Sequence, residues 1–304
     1  MLVVVVDSEG RIVYRATAPS HGLPQGALIA TLERELWAAV EAAQDVGAAG
    51  VGIPCTIDRE RGVAISAVNL DLADVPIRDL LTERIGLPVI VDNDANAALL
   101  AEHRFGAAKG ARNAVMLTIG TGIGGGLIVD GRLYRGSTGA GAELGHTVIE
   151  ADGPECQGNC PNRGCVESLA SGTALAREAV AVAERAPDSM LGRAHADGVE
   201  LEGREVSEAA LAGDEAAIGV LELIGRRIGV ALSSLANVFD PDVIVLGGGV
   251  IGAGELLVAP ARDEMAGRAL PPMNRTPIAA AGLGPDAGMV GAATLARLEF
   301  EGER

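Results

Sequence analysis

Three cysteines, Cys156, Cys160 and Cys165, fall within ten positions of one another, and His146 lies ten residues before the first. One imidazole and three thiolates complete the tetrahedral Cys3His set of structural zinc sites and leave no open position for water. The whole chain holds only 4 His and 4 Cys, so this clustering is not a chance of composition. The expected role of a metal on His146, Cys156, Cys160 and Cys165 is to order a long irregular loop with little apolar content of its own. The remaining Cys55 is isolated and reads as a small core residue.

A second candidate is Val91-Asp92-Asn93-Asp94-Ala95-Asn96, at the junction of a buried strand and a helix. A carboxylate at the C-terminal end of such a strand sits where open α/β sheets place ligands. The helix N-terminus favours its ionised form, and Asp94 there could orient a hydroxyl and take its proton. Asn and Asp are also the commonest helix N-caps, which explains the same residues without chemistry.

Two glycine-rich strand ends complete the set. Thr118-Ile119-Gly120-Thr121-Gly122-Ile123-Gly124-Gly125-Gly126 can wrap phosphate oxygens with backbone N–H groups. No Gly-Lys-Ser/Thr follows, so it is not a P-loop, and a strand rather than a helix comes next, which argues against a dinucleotide fingerprint. Asp240-Pro241-Asp242-Val243-Ile244-Val245-Leu246 ends in Gly247-Gly248-Gly249, bare backbone against which a flat ring or a phosphate can lie.

The elements that must hold these groups are legible from hydrophobic period. Residues 2–6 and 11–17 read as a hairpin around Asp7-Ser8-Glu9-Gly10, and Leu28, Leu32, Leu36 and Val40 place a helix over 25–44. Short strands at 49–53 and 88–91 alternate with helices at 76–85 and from about Asn93. A second cycle has strands at 115–119, 127–129 and 243–246, mostly helical sequence over 173–236 with a loop-like acidic stretch near 187–204, and a last helix at 288–299. Residues 131–172 read as irregular. Alternating strands and helices predict an α/β fold with parallel strands.

Hydrophobic residues make up 48% of the 304 positions and aromatics 2%, so the core is built from Ala, Val, Leu and Ile, as suits helices on a parallel sheet. The net charge of −17 argues against nucleic acid as a main partner, while leaving room for a nucleotide held by backbone N–H groups. No apolar run approaches the roughly 18–20 residues needed to span a membrane, and Leu2–Val6 is too short for a signal peptide. A cytoplasmic protein is expected, where a cysteine cluster indicates metal before disulfide.

In this order and spacing the four segments resemble the ROK family, which holds bacterial glucokinase-type sugar kinases and sugar-responsive repressors. The resemblance runs from about residue 2 to residue 299, and Glu143-Leu144-Gly145-His146 with Gly164-Cys165-Val166-Glu167 is its most specific part. It implies a two-lobed, actin-like (ribonuclease H-like) sugar-kinase fold. Residues 1–108 plus 289–304 would form the smaller lobe, and 109–288 the larger lobe with the zinc loop and nucleotide-binding glycines. It further implies ATP-dependent phosphorylation of a hexose, glucose to glucose 6-phosphate, with Mg²⁺, a structural zinc and a homodimer or homotetramer. Asp94 matches the catalytic base. Asn69, Asn93, Glu143, His146 and Glu167 match sugar-holding residues. Gly120, Thr121 and Gly122 match a phosphate loop, and Gly247, Gly248 and Gly249 the adenosine side. His146 would bind zinc through one ring nitrogen and face the sugar with the other. Because these residues divide between the two α/β cycles, the lobes are expected to close on the sugar. Other hexoses and a polyphosphate donor stay open on this framework, as do a sugar-responsive regulator and a sugar-binding protein without kinase activity.

Two departures stand out. The first two cysteines are spaced C-x₃-C where the family has C-x-C. Family members also begin with a strand ending in Asp-x-Gly-Gly-Thr, which faces the β- and γ-phosphates and Mg²⁺, whereas Leu2–Gly10 matches the strand and turn after it. The expectation is that the natural protein starts roughly 10–20 residues upstream, a strand plus a loop, and that the 304-residue chain phosphorylates sugar poorly.

Overall fold

The computed structural model describes residues 1–43, 45–67 and 70–302. The chain opens with β1 (Leu2–Val6), β2 (Ile12–Thr17) and α1 (Gln25–Ala42). Strand β3 (Ala49–Ile53) leads into an antiparallel meander, β4 (Cys55–Asp58), β5 (Val63–Ala67) and β6 (Ala73–Val75). Then come α2 (Ile77–Ile85), β7 (Val89–Asn93) and α3 (Asp94–Phe105). The second cycle has β8 (Ala114–Ile119), β9 (Ile123–Val129) and β10 (Arg132–Leu133), then α4 (Val166–Ala170), α5 (Gly172–Arg185), α6 (Met190–Ala196), α7 (Gly203–Leu211) and α8 (Glu215–Phe239). It ends with β11 (Val243–Gly247), α9 (Glu255–Arg268), β12 (Ile278–Ala280) and α10 (Ala287–Phe300). The α/β class read from the sequence is therefore borne out.

The chain forms two compact units, one of residues 1–112, 126–142 and 281–304, the other of 113–125 and 143–280. In the first, β3 and β7 pair in parallel, Ile53 opposite Asn93, which brings the Asn93-Asp94 junction to the strand end beside Pro54. Helix α10 lies hard on β3 and on α3: a Cβ on Gly50 would meet the Ala292 carbonyl at 1.8 Å, and one on Gly291 the Ala97 carbonyl of α3 at 1.7 Å. Glycine is what lets these backbones touch.

The same unit contains a break in its sheet. Among the described residues β1 pairs only with β2, and β3 only with β7. Both strands line one cavity of about 900 Å³, closed further by apolar side chains of α1 (Leu28, Leu32, Leu36) and of α10 (Met289, Ala292).

In the second unit β11 is central and parallel to both neighbours, β8 and β12. All five of its residues are buried, as expected of a strand covered on both faces. Helix α8 supplies the largest apolar stripe, with Leu221, Ile224, Ile228 and Leu232 buried. Gly225 and Gly229 let α9 approach, since a Cβ on them would lie 2.4 Å and 2.5 Å from the Leu257 and Ala261 carbonyls.

Two sequence expectations need correction. The strand read as 127–129 begins at Ile123 and takes in Gly124–Gly126. Gly126 admits a close neighbour there, since a Cβ on it would press on Leu99 at 3.0 Å. The stretch read as loop-like, 187–204, contains α6, capped by the Ser189 hydroxyl and held by buried Leu191. Its single buried turn is too short to announce a period.

Candidate active site

Candidate site residues occur in two sets, one in each unit. In the second unit, Glu143 leads into the short 3-10 turn Leu144–His146, closed by the His146 N–H on the Glu143 carbonyl at 3.1 Å. Gly145 is required there, because a Cβ would lie 2.0 Å from the Ile123 carbonyl. The donor atoms of His146, Cys156, Cys160 and Cys165 all lie within 4.8 Å of one another. The Cys156 sulfur is 3.4 Å from His146 Nδ1, and Cys160 and Cys165 are 3.9 Å apart. Sulfurs on a tetrahedral zinc, each at about 2.3 Å, stand about 3.8 Å from one another. The four residues thus fit the ion, and the C-x₃-C spacing does not disturb the set. Burial pushes the Cys156 and Cys165 thiols up; Cys165 and Cys160 hydrogen-bonded to Cys156 add to its shift. A cation among them reverses that tendency.

Glu167 lies in the first turn of α4 and reaches back to the glycine loop. Its Oε2 accepts from the Ile123 N–H at 2.7 Å, and a Cβ on Gly122 would stand 2.4 Å from that oxygen. Oε1 lies 3.9 Å from the Cys156 sulfur. One carboxylate therefore joins the loop Gly120–Gly122 to the cysteine cluster. The loop is also fixed to the start of α5: the Gly172 N–H donates to the Gly120 carbonyl at 2.7 Å, and the Thr173 hydroxyl to the Thr121 carbonyl at 2.9 Å. Gly247, opposite Thr118 in the parallel register, leads into Gly248 at φ +92°, where a Cβ would lie 2.3 Å from the Ile119 carbonyl. Both glycine segments thus sit side by side at the carboxyl ends of adjacent parallel strands, the place where such sheets bind nucleotides.

In the first unit, Asn93 caps α3: its Oδ1 accepts from the N–H groups of Ala95 at 2.9 Å and Asn96 at 3.3 Å. The capping explanation for this motif therefore belongs to Asn93, whose amide nitrogen also reaches the Cys55 carbonyl at 3.5 Å. Asp94 is left as a partly buried carboxylate at the first helical position. Loss of solvent raises its carboxyl above the ordinary carboxylate range, partly offset by the Ala95 N–H. Desolvation thus opposes the helix terminus, which favours the ionised form. Cys55 is buried in the core beneath, as read.

Asn69 lies outside the described residues. Sequence reasoning passed over Asp92, Arg135 and Gly172. Asp92 stood in plain view beside Asn93, but only burial distinguishes it from a solvated strand-end residue. No helix among the described residues is long and apolar enough to cross a membrane.

The model of the ROK family matches residues 1–299. A glucokinase of Streptomyces coelicolor is 38% identical over 96% of this chain and 93% of its own length. The crystal structure of a ROK family glucokinase from Streptomyces griseus, in complex with glucose and AMPPNP, superposes with a TM-score of 0.85 at 38% identity, covering 97% of this chain and 95% of that one. A ROK family transcriptional regulator, a homologue of the E. coli MLC protein, superposes with a TM-score of 0.88 at 26% identity, covering 99% of this chain and 76% of that one.

Proposed function

The chain belongs to the ROK family, and from that premise we propose that it is a hexose kinase that transfers the γ-phosphoryl group of ATP to glucose. The observation that carries this reading is that the chain holds both a desolvated Asp94 at the β7–α3 junction of the first unit and, in the second unit, two glycine loops at the ends of β8 and β11. Asp94 accepts the proton of the attacking hydroxyl, and its raised affinity for protons suits a general base better than an ordinary carboxylate would. Asn93 holds the first turn of α3 and so fixes Asp94. The N–H groups around Gly120–Gly122 and Gly247–Gly249 receive the nucleotide, with Mg²⁺ neutralising the phosphates when bound. Zinc, when bound to His146, Cys156, Cys160 and Cys165, orders the turn carrying Glu143 and leaves His146 Nε2 for the sugar. Cytoplasmic residence and a dimer or tetramer rest on the family alone.

Identity favours the kinase over the regulator, 38% against 26%. A coupled ADP-release assay across glucose, mannose, fructose and N-acetylated hexoses tests the reading. Sugar-dependent ADP release supports it, and sugar binding without release would make the protein a sensor.

A further inference from the structure

Asp92 precedes the candidate base by two residues and has only 3% of its side chain exposed. Every direction around its carboxylate is used. Oδ1 accepts from the Asn93 N–H at 2.8 Å and from the Asn96 amide at 3.1 Å. Oδ2 accepts from Arg135 Nε at 2.6 Å, with Arg59 Nε 3.8 Å away. Arg59 also pairs with Glu299 of α10. The charged groups facing Asp92 are thus Arg135 and Arg59, with Glu299 behind the second.

The two arginines come from loops far apart in sequence. Arg59 follows β4. Arg135 follows β10 and forms the base of the loop Gly136–Gly141, its carbonyl accepting from the Gly141 N–H at 2.8 Å. That base is closed tightly, since a Cβ on Gly141 would come within 2.8 Å of the same carbonyl. Gly139, at φ +89°, rests against Arg59, where a Cβ would lie 3.2 Å from the Arg59 Cβ. One buried carboxylate therefore ties the β4–β5 turn, the glycine loop and the first turn of α3 together. A buried ion pair of this geometry adds little net stability, yet removing one partner strands the other charge. Its value lies in fixing positions.

We propose that the Asp92–Arg135 ion pair is a positioning device for phosphoryl transfer, holding the first turn of α3, and with it the Asp94 carboxyl, in register with the loop Gly136–Gly141. The proposal rests on the kinase reading, and the test separates the two. The native chain, Arg135→Met, Arg135→Lys and Asp92→Asn are compared by steady-state kinetics and by ¹³C titration of the Asp94 carboxyl, which needs no activity. Arg135→Met is expected to lower kcat about tenfold or more, a modest misplacement of the base, with KM for ATP unchanged. Arg135→Lys restores most of the loss and serves as the folded control. The Asp94 titration moves up in Arg135→Met, where a buried anion loses its partner, and down in Asp92→Asn, where the anion is gone. Wild-type kcat in Arg135→Met with an unmoved Asp94 titration overturns the proposal. If the native chain releases no ADP while the Asp94 titration moves in these opposite directions, the kinase reading falls and the positioning of Asp94 stands.

Discussion

In the second unit β11 has a partner on each side and is buried along its whole length. In the first, among the described residues, β1 and β3 each pair on one side only, and both line a shared apolar cavity. The two units use the same construction of parallel strands and covering helices, so the difference isolates what sheet continuity does. Where the sheet is continuous, strand ends hold their glycine loops by direct backbone contact, as Gly248 does on Ile119. Where it is interrupted, the strand end at Asn93 is held instead by side chains, through the Asn93 cap and the buried Asp92 cluster. A protein core retains few voids larger than a water molecule, and the cavity of about 900 Å³ departs from that in the first unit.

The largest expected effect falls on the junction that side chains hold. Asp94→Asn should keep the fold and sugar binding and reduce turnover by roughly 10²–10⁴-fold, the usual contribution of an oriented base. Turnover near that of the native chain, in a variant shown to be folded, would remove Asp94 from the reaction.

The second unit should break at its metal. Cys165→Ser or chelation is expected to lower Tm by several degrees and to weaken sugar affinity together, because the same residues order the turn carrying Glu143. Elemental analysis should find one zinc per chain. Full activity in a zinc-free protein with titratable thiols would contradict this.

The smallest effect concerns stability and pH. The Asp94 carboxyl is raised in the folded state, so the folded protein holds that proton more tightly than the unfolded chain does. The associated stability is complete below the unfolded carboxylate range and is lost as pH rises through the folded value. At neutral pH, Asp94→Asn should therefore be slightly more stable than the native chain, by about a degree or two in Tm. That advantage should vanish near pH 3, and an Asp94→Asn variant less stable at pH 7 would show that the carboxylate is not desolvated.

Residue order alone determined the hairpin at the start, the α/β alternation, the cysteine cluster with His146 and the two glycine-rich strand ends. These are short-range signals: a period, a turn residue or a ligand spacing is complete within a few positions. The sequence did not reveal that Gly124–Gly126 lie in a strand, and at Gly126 the reason is a close approach by Leu99 from another element. Nor did it reveal α6, whose single buried turn carries no period. Asn93 and Asp94 were visible as a pair, but which of them caps α3 and which keeps a carboxyl withdrawn from water was settled only by packing. Asp92 and Arg135 stand 43 residues apart, and nothing local marks either one. Their bond exists because the chain brings β10 back to the β7–α3 junction, and burial then makes each charge depend on the other.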